Sequence, residues 1–206
     1  DIDFIKPKTD NNFFNNNLKQ NQATKTVLYS GNIGNKQGLE IIIDAAFLMG
    51  DQKNIQFVIC GNGSYKDNLV DYSTKKDLNN LKFIDLVQYE DLPSLINSAT
   101  IHLVIQKKDT ADAFLPSKLT TILSAGGYAI VSAEKNTELG ILNEKFPGII
   151  SLVEPENVNE LVTSINNLLY SSNGGFNKIA RSYAENHLKK DSILSSLKIK
   201  LLNLIS

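Results

Sequence analysis

The sequence has one cysteine, Cys60, and two histidines in 206 residues. A single thiol forms no intrachain disulfide, so the fold must hold by burial alone. One cysteine and two histidines do not make a cysteine/histidine zinc set, and no metal is expected. Long hydrophobic runs are missing as well. The best stretch, 39–49, is broken by Glu40 and Asp44 and falls short of the roughly 20 apolar residues of a membrane span. No secretory-signal pattern stands at the start, which predicts a soluble protein of a reducing compartment. Nor is there an excess of charge: Lys and Arg number 21, Asp and Glu 22, for a net −1. Nucleic-acid binders usually need a basic excess, so no nucleic-acid partner is expected. A small anion, needing only a few placed positive groups, remains compatible.

What is present is a chain with 42% hydrophobic residues, long enough for one large domain with its own core. Residues 1–25 read as a linker or extended strap. Asp1-Ile2-Asp3-Phe4-Ile5 and Pro7 lead into an asparagine-rich run over 9–17, with little apolar surface to offset ordering entropy. The chain opens without methionine and reads as a piece of something longer. From residue 26 a rhythm sets in. Short apolar runs over 26–30, 55–60, 81–85, 101–105, 128–133 and 148–153 predict strands. The stretches 39–49, 64–77, 91–99, 116–125 and 138–146 between them predict helices. Three more helices follow over 158–170, 176–186 and 192–205. Alternating strands and helices, with strands apolar on both faces, predict a parallel sheet of about six strands covered by helices. Right-handed crossovers make residues 26–206 an α/β, doubly wound, Rossmann-like domain with helices on both faces.

Ligands of such sheets bind beyond the carboxyl ends of the strands, which singles out the loops 31–38, 61–64, 85–89, 106–115 and 132–137. In the first, Gly31, Gly34 and Gly38 allow close backbone approach to a ligand, and Lys36 adds positive charge. The spacing fits neither a P-loop nor a dinucleotide fingerprint. Gly61-Asn62-Gly63-Ser64 is a similar turn, with Ser64 as a helix cap. The most informative stretch runs from Leu115 to Gly127. Pro116 suits a first helical turn, while Leu119, Ile122, Leu123 and Gly126 repeat at helical spacing toward the sheet. Ser117, Lys118 and Thr121 then face the open side. A lysine at a helix start opposes the macrodipole, a conflict that a bound anion would relieve. On that reading, removing Lys118 leaves stability unchanged or raises it.

Together these segments resemble the donor domain of family 4 glycosyltransferases of GT-B fold. The resemblance rests on Val27-Leu28-Tyr29-Ser30-Gly31-Asn32-Ile33-Gly34 with Lys36-Gln37-Gly38-Leu39-Glu40, on Phe57-Val58-Ile59-Cys60-Gly61-Asn62-Gly63, and on Leu115-Pro116-Ser117-Lys118-Leu119 through Gly126-Gly127-Tyr128-Ala129-Ile130. Ala133-Glu134-Lys135-Asn136-Thr137-Glu138-Leu139-Gly140 and Val153-Glu154-Pro155-Glu156 extend it toward the colanic-acid-type enzymes of exopolysaccharide, capsule and O-antigen synthesis. Asp1-Ile2-Asp3-Phe4-Ile5-Lys6-Pro7 is similar to their interdomain linker. The resemblance implies a retaining transferase that takes a sugar from a UDP- or GDP-sugar to a bacterial surface glycan. It implies an amino-terminal half that holds the acceptor, possession of no cofactor beyond the donor, and a place in the cytoplasm at the inner membrane face, near a lipid-linked acceptor. By the same resemblance Lys36 and Lys118 are the positive groups on the diphosphate, and the backbone from Phe114 to Ser117 faces it. Leu86 and Val87 flank the base, with Gly31, Asn32, Gly34, Gly61, Asn62, Gly63, Thr121 and Glu138 around the donor.

Two departures stand out. The family's paired glutamates fall at Ala113 and Thr121, neither acidic, with Asp112 one residue off. Asn32 or Asn35 replaces its first-loop arginine. A non-catalytic nucleotide-binding module and a nucleotide-sugar epimerase therefore stay open as alternatives. Other conspicuous residues read as structural: His102 packed in a strand, His187 at a helix end and Cys60 at the end of a buried strand. Lys189, Lys190, Lys198 and Lys200 read as a solvated face.

Overall fold

The computed structural model describes residues 2–8, 12–21, 23–108, 115–171 and 175–190. Phe114, Asp112, Ala113 and the helix expected over 192–205 lie outside the described residues. Six strands, β1 (Lys25–Ser30), β2 (Ile55–Cys60), β3 (Leu81–Ile84), β4 (Ile101–Val104), β5 (Ala129–Ser132) and β6 (Ser151–Val153), form one sheet in the order β3-β2-β1-β4-β5-β6. Every pairing is parallel. The order reverses between β1 and β4, where the first connection back across the sheet lands, and this is the position at which doubly wound sheets open a crevice.

Alternation along the strands sorts side chains onto two unequal faces. Val27, Tyr29, Phe57, Ile59, Ile101, Leu103, Ile130 and Val153 join one continuous core. It is closed by α2 (Glu40–Leu48), α3 (Lys66–Thr74) and α7 (Val158–Ser171). The other face is covered by α4 (Leu92–Ser98), α5 (Ser117–Ser124), α6 (Glu138–Lys145) and α8 (Lys178–Tyr183), and its core is split. Leu28, Val58, Cys60, Leu95 and Ile96 form one cluster. Val104, Leu119, Ile122, Leu123, Val131 and Leu139 form another. His102, in register with Leu28, lies at the seam between them.

Within residues 1–25, read from the sequence as a linker or extended strap, part of the chain folds onto the domain. A short helix, α1 (Phe13–Leu18), forms there with Phe14 buried, and it packs against α4. Ile2 joins one cluster of the split face and Ile5 the other, so the strap bridges the seam. Arg181, the only arginine in the sequence, donates from Nη1 to the carbonyls of Ile2 (3.3 Å), Ile5 (3.3 Å) and Ser124 (2.6 Å). A few buried apolar side chains outweigh the polar composition, because they land on an existing apolar face. Gly126 also differs from expectation. It stands beyond the end of α5 with φ +65°, the left-handed conformation that glycine adopts at helix ends.

Candidate functional site

At the reversal point, a cavity of about 190 Å³ opens between β1, β4, α4 and α5. Its lining includes Ser30, Leu92, Ser117, Lys118, Thr121 and His102. Three of the residues singled out in the sequence, Ser117, Lys118 and Thr121, thus meet in one crevice. Pro116 precedes the helix, and its carbonyl takes the amides of Leu119 (2.9 Å) and Thr120 (3.1 Å). Ser117 and Lys118 therefore precede the first helical hydrogen bond of α5, where backbone donors favour an anion. Thr121 Oγ1 donates back to the Ser117 carbonyl (3.1 Å).

Lys118 does not simply point to solvent. Its Nζ donates to Tyr29 Oη (3.0 Å) and lies 4.3 Å from the centre of that ring. A Cβ added at Gly31 would stand 3.1 Å from Nζ, and φ there is +152°, so only glycine fits comfortably at the end of β1. The ammonium is thereby fixed beside the first loop. This reverses the stability expectation for Lys118, because its removal forfeits a cation–π contact with a buried ring.

The other positive group, Lys36, sits exposed on a 3₁₀ turn, Asn35–Gln37, beyond the crevice lining. The turn is tied inward: Gln37 Oε1 accepts from the Gly34 amide (3.0 Å), and Lys107 Nζ donates to Asn35 Oδ1 (2.9 Å). The second loop packs against the first. Gly31 N donates to Cys60 O (2.9 Å), and Ile33 N to Asn62 O (2.9 Å). Gly61 and Gly63 allow this approach, since a Cβ on either would collide with the backbone of Gly31 or Ile33. Asn32 is exposed at its tip. Beyond β3, Leu86 is exposed, while Val87 packs against the same cluster as Leu92, the residue that starts α4 and lines the crevice.

Leu115 and Glu138 go elsewhere. Both line a separate cavity of about 450 Å³ with Ile141, Lys145, Phe146 and Tyr183, so the structure does not gather Glu138 with Lys118. A further cavity of about 360 Å³ lies at the amino ends of the strands, bordered by Lys25, Thr100 and Tyr128. Size alone would favour these two, but the carboxyl-end position of the smaller crevice is where this fold binds ligands.

Sequence reasoning missed Lys66, Asp85 and Lys107. Lys66 Nζ pairs with Asp85 and donates to Asn62 Oδ1 (3.0 Å), bracing the second loop. No motif announces that pair, whose members are 19 residues apart. His102 is 2% exposed. Burial lowers its pKa to about 4, opposed by a hydrogen bond with the Ile96 backbone, and its Nε2 has no partner among the described residues. It is a neutral, packed imidazole. Burial also raises the Cys60 thiol, against weaker opposing contacts; a buried thiol of this kind is a poor nucleophile.

With this crevice on a parallel sheet, the comparisons are specific. The family described as "Glycosyl transferases group 1" matches residues 10–189, and the chain belongs to it, with a GT-B type of fold. It is 46% identical over 179 residues to the putative colanic acid biosynthesis glycosyl transferase WcaI of Escherichia coli K12, covering 87% of this chain. The chain spans 43% of the length of that relative. Among solved structures, Anabaena HepE in complex with UDP superposes with a TM-score of 0.81 at 16% identity, over 98% of this chain and 55% of that one. The C-terminal domain of the group 1 glycosyltransferase LpcC from Francisella tularensis has a TM-score of 0.70 at 16% identity, over 92% of this chain and 98% of that domain. Among the described residues, no helix is long and apolar enough to cross a membrane.

Proposed function

We propose that this chain is the donor-binding half of a retaining glycosyltransferase. It takes a UDP- or GDP-sugar and serves transfer to a bacterial surface-glycan precursor, lipid-linked and presented at the cytoplasmic membrane face. The observation that carries the reading is the crevice between β1 and β4, with Lys118 at the start of α5. The UDP in the HepE complex and the colanic-acid assignment of WcaI support it. Transfer leaves negative charge on the departing diphosphate. The Lys118 ammonium and the first amides of α5 are preorganised to stabilise that charge without a metal ion. Lys36 supplies a second, exposed charge from the rim, and Thr121 offers a hydroxyl where a carboxylate is absent. Leu86 and Val87 present backbone to the base. The backbone contact expected around Phe114 falls outside the described residues.

An acceptor half in the remainder of the polypeptide would complete the enzyme, since proximity of donor and acceptor supplies roughly 7–11 kcal/mol of barrier lowering. The chain alone is accordingly expected to bind nucleotide diphosphates without transferring sugar. Assay of the intact protein against a panel of UDP- and GDP-sugars tests the proposal. Donor-dependent glycan formation with retained anomeric configuration is expected. Sugar epimerisation without an acceptor would overturn it in favour of an epimerase. Binding without any turnover would favour a non-catalytic module, the reading that Thr121 supports.

A further inference from the structure

Tyr29 and Lys118 stand 89 residues apart and approach from opposite faces of the sheet. Tyr29 is fully buried in the continuous core under α2 and α7, while Lys118 rises from α5 on the split face. They meet at the end of β1, where Gly31 has no side chain to separate them. The geometry of the hydroxyl is decided locally. Tyr29 Oη donates its proton to the Asn32 carbonyl at 2.6 Å, so a lone pair is left to accept from Lys118 Nζ at 3.0 Å. Burial raises the phenol pKa far above neutrality, so the hydroxyl stays protonated and both hydrogen bonds keep their direction.

We infer that Tyr29 is a positioning residue for the donor site: through its hydroxyl and ring it holds the Lys118 ammonium where the diphosphate binds. The inference rests on the proposed role of Lys118 and adds a residue from the opposite face to it. A lysine stem has high rotamer entropy, and a ligand that must order it binds more weakly. A rigid, neutral acceptor spends one of the three ammonium donors to set the direction of the charge. The same hydroxyl fixes the Asn32 carbonyl, so the first-loop turn and the ammonium are set by one atom.

The test is a double-mutant cycle on the 206-residue chain, read by UDP titration with uridine as the phosphate-free control. Tyr29→Phe keeps the ring and removes the hydroxyl, and should weaken UDP roughly five- to tenfold, the effect of loosening one hydrogen bond to a charged group. Uridine affinity should not change. In a Lys118→Ala background the same substitution should cost clearly less, leaving only what the released Asn32 carbonyl contributes. Gly31→Ala is run alongside; its Cβ presses on the ammonium, but at φ +152° it also strains the first loop, so only the Lys118-dependent part of its loss is read. It should show the same dependence on Lys118. Equal losses with and without Lys118, or no loss from either substitution, would overturn the positioning role. If Lys118→Ala itself left UDP affinity intact, the donor-site reading would fall as well, so the two failures are distinguishable.

Discussion

The two faces of the sheet are built differently. Under α2, α3 and α7 the core is continuous, and its largest side chains, among them Tyr29, Phe57 and Ile42, are fully buried. Under α4 and α5 it divides into two clusters with a histidine and a crevice between them. The strand order reverses at that same seam. Helices that follow strands running outward in opposite directions diverge there, and packing gives way to a cleft. One face is packed throughout, and the other gives up packing for an open crevice. Tyr29 and Gly31 are where the two meet.

Phe57→Ala, in the middle of the continuous core, should cost about 3–5 kcal/mol of unfolding free energy, read by urea denaturation. A loss below about 1 kcal/mol would show that this face does not carry the fold. The seam gives the next effect. The His102 pKa of about 4 lies below its ordinary 6.5, so the unfolded chain takes up the proton first as pH falls. Stability should therefore drop between about pH 6.5 and pH 4 by at most roughly 3 kcal/mol, and level off below. His102→Leu should flatten that step in a pH series of denaturation curves; an unchanged step would assign it to other groups. Smaller still, Lys118→Ala should lower stability by about 0.5–1 kcal/mol through the lost contact with the Tyr29 ring, measured by the same denaturation. A gain in stability would restore the simpler picture of a lysine at odds with the helix dipole.

Most of the architecture could be read from the sequence because its signals are local. Apolar strands ending in glycine turns, helices between them and the Leu115–Gly127 segment all announce themselves within short windows. The lining of the crevice was legible to the same extent: Ser117, Lys118 and Thr121 lie on one helical turn, and the fold dictates where that turn sits. What was illegible depends on contacts between distant segments. Phe13 and Phe14 sit in a helix that packs its apolar side chains against α4 and the cluster beneath it. Glu138 stands on the expected helix, yet it lines a different cavity, shared with Phe146 and Tyr183. The partner of Lys118 comes from a strand that, read alone, gives no reason to hold a buried tyrosine near a cation.

Titration calorimetry of UDP against three forms of the chain tests the central claim most directly: wild type, Lys118→Ala, and Lys190→Ala as an exposed control remote in sequence. The account predicts that Lys118→Ala weakens binding by about 1.5–3 kcal/mol, the range for a hydrogen bond to a charged group, while Lys190→Ala matches wild type. Equal affinities for wild type and Lys118→Ala would contradict it, and would remove the crevice between β1 and β4 as the donor site.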